Sequence, residues 1–148
     1  MSREMPLRTA SQGRCRLEYR PSLVARMTAT MSDSGFTSLP RPPYYAVIFS
    51  SKRREGDHGY AATAQRMEQL VALQPGFLGA ESTRGADGFG ITVAYFDSEE
   101  AIANWRDNAE HAAARERGRN EWYEHCELRV ARGDRAYGGP RDPRAGAA

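Results

Sequence analysis

The order in which strand-like and helix-like patterns follow one another between Tyr44 and Tyr137 constrains the fold of this chain most. A run of β-branched and aromatic residues at 44–50 predicts a first strand. Residues 60–73 carry apolar side chains at helical spacing and predict a first amphipathic helix. The segment Gln74-Pro75-Gly76 should end that helix, because proline cannot continue its hydrogen-bond ladder.

The second half of this region contains three further elements. Residues 77–83 and 90–96 are strand-like and are separated by a glycine-containing turn sequence, which predicts an antiparallel hairpin. The sequence Asp97-Ser98-Glu99-Glu100 is typical of a helix start, where acidic groups suit the free backbone amides, and it predicts one helix over residues 99–117. Alternating residues at 124–131 predict a last strand.

The resulting order, β-α-β-β-α-β, predicts an α+β domain of the ferredoxin-like type, a four-stranded antiparallel sheet with two helices on one face. The other face would carry either the set that contains Tyr45, Val47 and Phe49 or the set of Ala46 and Ile48, and both sets are largely apolar. A bare apolar face and free strand edges favour association. We therefore expect a homodimer in which the two sheets form an α/β barrel.

The flanking segments differ in composition from this central region. Residues 1–43 have no sustained period and are rich in Arg, Ser, Thr and Pro, which predicts a disordered N-terminal extension. The folded domain is expected at residues 44–138. Residues 139–148 are rich in glycine and proline and are expected to form a flexible tail.

Composition excludes several classes of function. The 21 basic residues are balanced by 19 acidic ones, for a net charge of +2, so nucleic-acid binding is not expected. Cys15 and Cys126 form no metal-binding spacing, so no metal is expected, and a reducing, cytoplasmic location is predicted. No run approaches the ~20 apolar residues that span a membrane, so no membrane partner is expected.

Several motifs give the chain a family resemblance over residues 44–137. They are YYAVIF at 44–49, PGFLG at 75–79, YFDSEEAIANW at 95–105 and the pair Trp122-Tyr123. With these motifs the chain resembles the antibiotic biosynthesis monooxygenase domain family. The resemblance implies a βαββαβ unit that dimerises into a barrel. It also implies oxygenation of a small aromatic or electron-rich substrate without a metal or flavin cofactor.

Two departures from the family pattern argue against haem degradation by this chain. The haem-degrading branch uses an asparagine on the first strand together with a Trp and a His on the second helix. No asparagine occurs in residues 44–51, and His111 follows Trp105 by only six residues. Both departures argue against that branch.

A polar row on the predicted second helix indicates a candidate site. At about 100° per residue, Asn104, Asn108, His111 and Arg115 fall on one side, next to an alanine-rich stripe around Trp105. Small residues around one large side chain can leave a hollow for a planar ligand. We therefore expect a ligand chamber beneath this helix.

Cofactor-free oxygenation suggests a role for each of these residues. His111 is the predicted base, and Asn104 and Asn108 are the predicted catalytic hydrogen-bond donors to a developing oxyanion. Trp105, Tyr95, Tyr45 and Arg115 are the predicted substrate-binding residues, with the tyrosines lining a wall and the indole stacking on the substrate. We expect a small-molecule substrate and neither a bound cofactor nor a metal.

Simpler interpretations of these residues remain open. Trp105 can be a core residue, and the histidine and asparagines can form a solvated helix edge. The alternative function is a dimeric protein of the same fold that binds a small ligand without catalysis. The sequence does not identify the substrate.

Overall fold

A computed structural model describes residues 35–139 of the chain. The predicted N-terminal extension up to residue 34 and the predicted tail from residue 140 lie outside these residues. The strands are β1 (Tyr44–Arg53), β2 (Phe77–Arg84), β3 (Phe89–Phe96) and β4 (Tyr123–Gly133). The helices are α1 (Tyr60–Val71), α2 (Glu99–Asp107) and α3 (Ala109–Arg117), followed by a π-helical turn at Gly118–Trp122.

The four strands form one antiparallel sheet in the order β2-β3-β1-β4. β1 lies between β3 and β4, and β2 and β4 are the two edges. This is the ferredoxin-like α+β arrangement that the sequence predicts. The predicted hairpin of β2 and β3 is confirmed, with Thr83 opposite Ile91 near its turn.

Contacts of β1 show which side of the sheet the helices cover. The Phe49 ring meets Tyr123 edge to face, and Tyr123 in turn meets Tyr60 at the start of α1. Because successive side chains of a strand point to opposite faces, Tyr45 and Val47 share this helix side with Phe49. The set of Ala46 and Ile48 therefore faces away from the helices, which decides the alternative that the pattern left open.

The turn between α1 and β2 depends on a glycine. Gly76 has φ of 85°, a conformation that other residues rarely adopt. A Cβ atom at this position would lie 2.4 Å from Asp97 Oδ1 and 2.6 Å from Ala101 Cβ. Ala101 is 4% exposed, so the chain can pass α2 this closely only without a side chain at residue 76.

The prediction of one continuous helix over residues 99–117 is wrong, because the chain breaks at Asn108. Asn108 has ψ of 127°, which is outside the helical range. Its side-chain oxygen accepts a hydrogen bond from the His111 backbone N–H at 3.1 Å, so Asn108 is the N-cap of α3. The domain accordingly has three helices instead of two, and a cap that competes with helix continuation explains the difference.

Trp122 and Tyr123 close one end of the space between the helices and the sheet. Trp122 is 3% exposed, and its indole N–H donates to the His58 carbonyl oxygen at 3.0 Å. The indole also packs edge to face against Tyr60. At the other end, Phe96 is buried against Phe77.

Part of the predicted extension is attached to the edge of the sheet. The Thr37 hydroxyl donates to the Ala80 carbonyl oxygen at 2.8 Å, and its backbone N–H donates to Glu81 at 2.9 Å. Glu81 also accepts from the Tyr95 hydroxyl. Residues around Thr37 therefore lie along β2.

Candidate functional site

The break at Asn108 brings Trp105 and His111 face to face. Trp105 lies in the last turn of α2, and His111 lies in the first turn of α3. Their rings are stacked with centroids 4.1 Å apart and planes inclined by 11°. In a continuous helix, residues six apart point in different directions, so this contact depends on the bend.

The hydrogen bond of the His111 ring defines its tautomer. Nδ1 lies 2.9 Å from the Trp105 carbonyl oxygen. Because a carbonyl oxygen only accepts, Nδ1 carries the proton, and in the neutral ring Nε2 keeps its lone pair. A histidine held in this way can accept a proton at Nε2.

The surroundings of His111 also favour its neutral form. Burial lowers the pKa of the His111 imidazole below its usual value, and the positive charge of Arg115 lowers this pKa further, while the bond to Trp105 opposes the shift. Burial is the largest of these causes. The imidazole is therefore available as a base near neutral pH.

The two asparagines predicted as hydrogen-bond donors lie on either side of a structural boundary: Asn104 is within α2, and Asn108 is at the bend between α2 and α3. Asn108 is half-buried, and its side-chain oxygen is occupied by the cap of α3. Asn104 is exposed on α2, before the bend. Since the bend separates α2 from α3, the four polar residues do not form the continuous helical row that the spacing predicts.

Arg115 lies one turn after His111 on α3, and its side chain reaches back across the bend. Its Nη2 donates to the Arg106 carbonyl oxygen at 3.0 Å. His111 and Arg115 therefore bond two of the last carbonyl groups of α2, and the Trp105 carbonyl also accepts from the Asn108 backbone N–H at 3.2 Å. These bonds link α3 to the end of α2 across the bend, and the one from His111 holds its ring against Trp105.

The structure places the two predicted wall tyrosines on opposite faces of the sheet. Tyr45 is on the helix side, and Tyr95 pairs with Ala46 on the side that faces away. The Tyr95 hydroxyl donates to Glu81 at 3.2 Å, and its ring packs edge to face against Tyr44. The structure therefore does not bring Tyr95 together with the residues around His111.

A groove of about 360 Å³ lies between α1 and α3. Small or apolar side chains form part of its lining, and so do Arg66 and Glu110, which form an ion pair with an N–O distance of 2.9 Å. The lining residues are Ala62, Thr63, Arg66, Met67, Glu110, Ala113, Ala114 and Arg117. None of the predicted site residues lines this groove.

A second polar cluster at the Trp122 end was not singled out by the sequence. The Arg53 guanidinium lies 3.6 Å from the centre of the Tyr60 ring, and Arg84 donates to the hydroxyl of buried Ser51 at 3.0 Å. Burial and the neighbouring Tyr60 raise the pKa of the Tyr123 phenol. These residues are far apart in the chain, and no local spacing connects them.

Residues 35–139 contain neither a metal-binding cluster nor a membrane-spanning helix. Within this part of the chain, no three His, Cys, Asp or Glu side chains are grouped so that they could hold a metal ion. No helix among the described residues is long and apolar enough to cross a membrane.

The described residues form a ferredoxin-like domain in which His111 stacks on Trp105, and comparison with known proteins identifies the family of the chain. Residues 43–117 match the antibiotic biosynthesis monooxygenase family, and the chain belongs to this family. The uncharacterized protein YqjZ of Bacillus subtilis strain 168 is 62% identical over 99 residues. That match covers 67% of this chain and 87% of YqjZ.

Solved structures of lower identity share the fold. SnoaB of Streptomyces nogalater, a cofactor-independent oxygenase, is 12% identical with a TM-score of 0.56, and the match covers 64% of this chain and 97% of SnoaB. Rv0793 of Mycobacterium tuberculosis is 16% identical with a TM-score of 0.53, covering 67% of this chain and 96% of Rv0793. At these identities the likeness establishes the architecture alone.

Proposed function

We propose that this chain is a cofactor-independent oxygenase that acts on a small aromatic or otherwise electron-rich molecule, with His111 as the general base. One observation carries the proposal: the His111 imidazole is held with Nδ1 protonated and Nε2 free, stacked against the indole of Trp105. Membership of the antibiotic biosynthesis monooxygenase family and the fold shared with SnoaB support the same chemistry.

The proposed reaction needs only a base, an acidic substrate and molecular oxygen. Nε2 of His111 removes a proton from an activated CH₂ group of the substrate, which leaves a carbanion stabilised by the aromatic ring. The carbanion transfers electrons to O₂, and a C–O bond forms to give a peroxide. Loss of water then leaves a ketone, so that CH₂ and O₂ become C=O and H₂O. The substrate is oxidised by four electrons, and the O₂ molecule is reduced by the same number.

A second function is favoured by the structural role of the same side chains. His111 and Arg115 bond the last carbonyl groups of α2, and these bonds give both side chains a structural role that does not depend on catalysis. The alternative is a protein of this fold that binds a small planar ligand without transforming it. Ligand binding without oxygen uptake would distinguish it from the oxygenase.

Oxygen consumption with a panel of anthrones and hydroquinones tests the proposal. His111→Gln keeps a polar side chain but removes the base, and we expect uptake to fall by about a hundredfold or more, the usual contribution of a positioned base. His125→Gln is the matched control, because His125 is exposed on β4 and bonded to Glu127. Equal turnover by His111→Gln and the native chain would remove His111 as the base.

We further propose that the working unit is a homodimer formed through the sheet face that lacks helices. This face carries Ile48 and Val93 and the exposed side chains of Phe89 and Ile91, which are 48% and 36% exposed. On β4 the same face is polar, with His125, Glu127 and Arg129, so the apolar contact with a second copy would be formed by the part of the face on β1 and β3.

Light scattering tests the dimer, which should have twice the 16.5 kDa mass of the chain. Ile91→Arg should shift the protein to the monomer. Leu73→Arg is the control, because Leu73 is 78% exposed just after α1 and outside the sheet. A native chain that is monomeric at micromolar concentration would contradict this assembly.

A further inference from the structure

The side chain of Arg115 has donors that the protein leaves unused. Its Nη2 bonds one carbonyl oxygen, that of Arg106. Its Nε is buried and has no hydrogen-bond partner. A buried donor without a partner is costly, so such atoms in a native structure need an explanation.

The positive charge of Arg115 is also unpaired. Among residues 35–139, Arg115 takes part in no ion pair. The nearby Asp107 has its pKa lowered in part by the charge of Arg115, but its carboxylate is bonded to Arg106 at 2.9 Å. Because Nε is buried, the donors left for a ligand are those at the outer end of the guanidinium, Nη1 and the second N–H of Nη2, and its charge is uncompensated.

The position of this charge relates it to the proposed base. Arg115 and His111 are four residues apart on α3, so the two side chains are neighbours on one side of the helix. The His111 ring lies against Trp105, which offers an aromatic surface on the same side of the bend. A planar ligand beside this pair would reach the guanidinium with a substituent.

Resting on the proposed function, we infer that the ligand of this site is an aromatic acid whose carboxylate is bound by the Arg115 guanidinium beside His111. A planar guanidinium matches a carboxylate with two parallel N–H···O bonds, which a neutral substituent cannot reproduce. The ligand would supply the missing charge and the acceptors for Nη1 and the second N–H of Nη2, while Nε stays buried. The carboxylate fixes the orientation of the ring and takes no part in the chemical step.

Isothermal titration calorimetry with two probes of nearly equal shape tests this inference. The probes are 2-naphthoate and its neutral carboxamide, 2-naphthamide. We expect the native chain to bind the acid roughly tenfold to a hundredfold more tightly than the amide, the range of a charge-assisted pair. Arg115→Gln should lose this preference, and its affinity for the amide should stay near that of the native chain.

Two further variants keep the result interpretable. Arg115→Lys retains the charge and a donor for the Arg106 carbonyl but not the two-pronged geometry, so it should lose most of the preference even if the Gln variant does not fold. Arg119→Gln removes an exposed charge from the π-helical turn and should bind both probes like the native chain.

Several outcomes would overturn the inference. Equal affinity of the native chain for the acid and the amide would do so. Loss of the preference for the acid in Arg119→Gln would also do so, because the preference would then come from general surface charge. Failure of both probes to bind would also reject it. The oxygenase proposal is judged separately by oxygen uptake in His111→Gln, so the two can fail independently.

Discussion

The substitution Asn108→Ala tests whether the bend between α2 and α3 sets the geometry of His111. The side-chain oxygen of Asn108 caps α3 by accepting from the His111 backbone N–H at 3.1 Å. Loss of such a cap costs about 0.5 to 2 kcal/mol of the free energy of unfolding. For a domain of this size, a loss of about 1 kcal/mol lowers the Tm by roughly 4 to 8 °C.

The same substitution should alter the tautomer of His111. With alanine at residue 108, helix continuation is favoured, and in a continuous helix residue 111 points in a different direction from residue 105, so the imidazole would no longer reach the Trp105 carbonyl. The His111 Nδ1–H would then lose its acceptor. Long-range ¹H–¹⁵N NMR of the imidazole should show a protonated Nδ1 in the native chain and a mixture of tautomers in the variant.

Asn104→Ala is the matched control, because the same change is made four residues earlier at an exposed position on α2. Alanine is the better helix former there, so the Tm should stay constant or rise slightly. If Asn108→Ala had the stability of Asn104→Ala and kept Nδ1 protonated, neither the cap nor the bend would hold His111 in place.

Three further outcomes follow from local geometry. Gly76→Ala should lower the free energy of unfolding by about 2 to 5 kcal/mol, the sum of a left-handed backbone and a clash with buried Ala101. The control Gly59→Ala, with φ of 78° and its nearest contact at 3.4 Å, should cost about 1 to 2 kcal/mol. Equal losses of the two variants on urea unfolding would refute the clash. Burial lowers the pKa of folded His111, so the stability that it contributes is present above about pH 6.5 and is lost as the pH falls through the folded pKa. His111→Gln should therefore flatten the pH dependence of the Tm below about pH 6.5, and an unchanged slope would contradict the shift. Phe96→Ala should cost about 3 to 5 kcal/mol on urea unfolding because Phe96 is 1% exposed, and a loss below 1 kcal/mol would show that its site collapses.

Much of the fold was predictable because the relevant signals are local. The turn at Gln74-Pro75-Gly76 and the Ser98 cap each act within a few residues, and both elements that they begin or end lie where the sequence predicts. The Ser98 hydroxyl accepts from the Ala101 N–H at 3.1 Å, as expected of an N-cap.

The candidate site was predictable only in part. The sequence singled out Trp105, His111 and Arg115 from their spacing on one assumed helix, and the structure stacks the His111 ring on Trp105. This contact does not arise from spacing on a continuous helix, because Asn108 separates α2 from α3 and the bend places the His111 ring against the indole. Asn104 and Tyr95 do not join them.

The sequence by itself determined the succession of strands and helices, since periodicity and turn residues act over short distances. Only the tertiary structure decided which face of β1 the helices cover, because both faces are apolar and either could have been buried. It also decided the break at Asn108. A cap and a continued helix differ by only about 1 kcal/mol, so contacts of the whole domain, such as the bonds of His111 and Arg115 to α2, select between them.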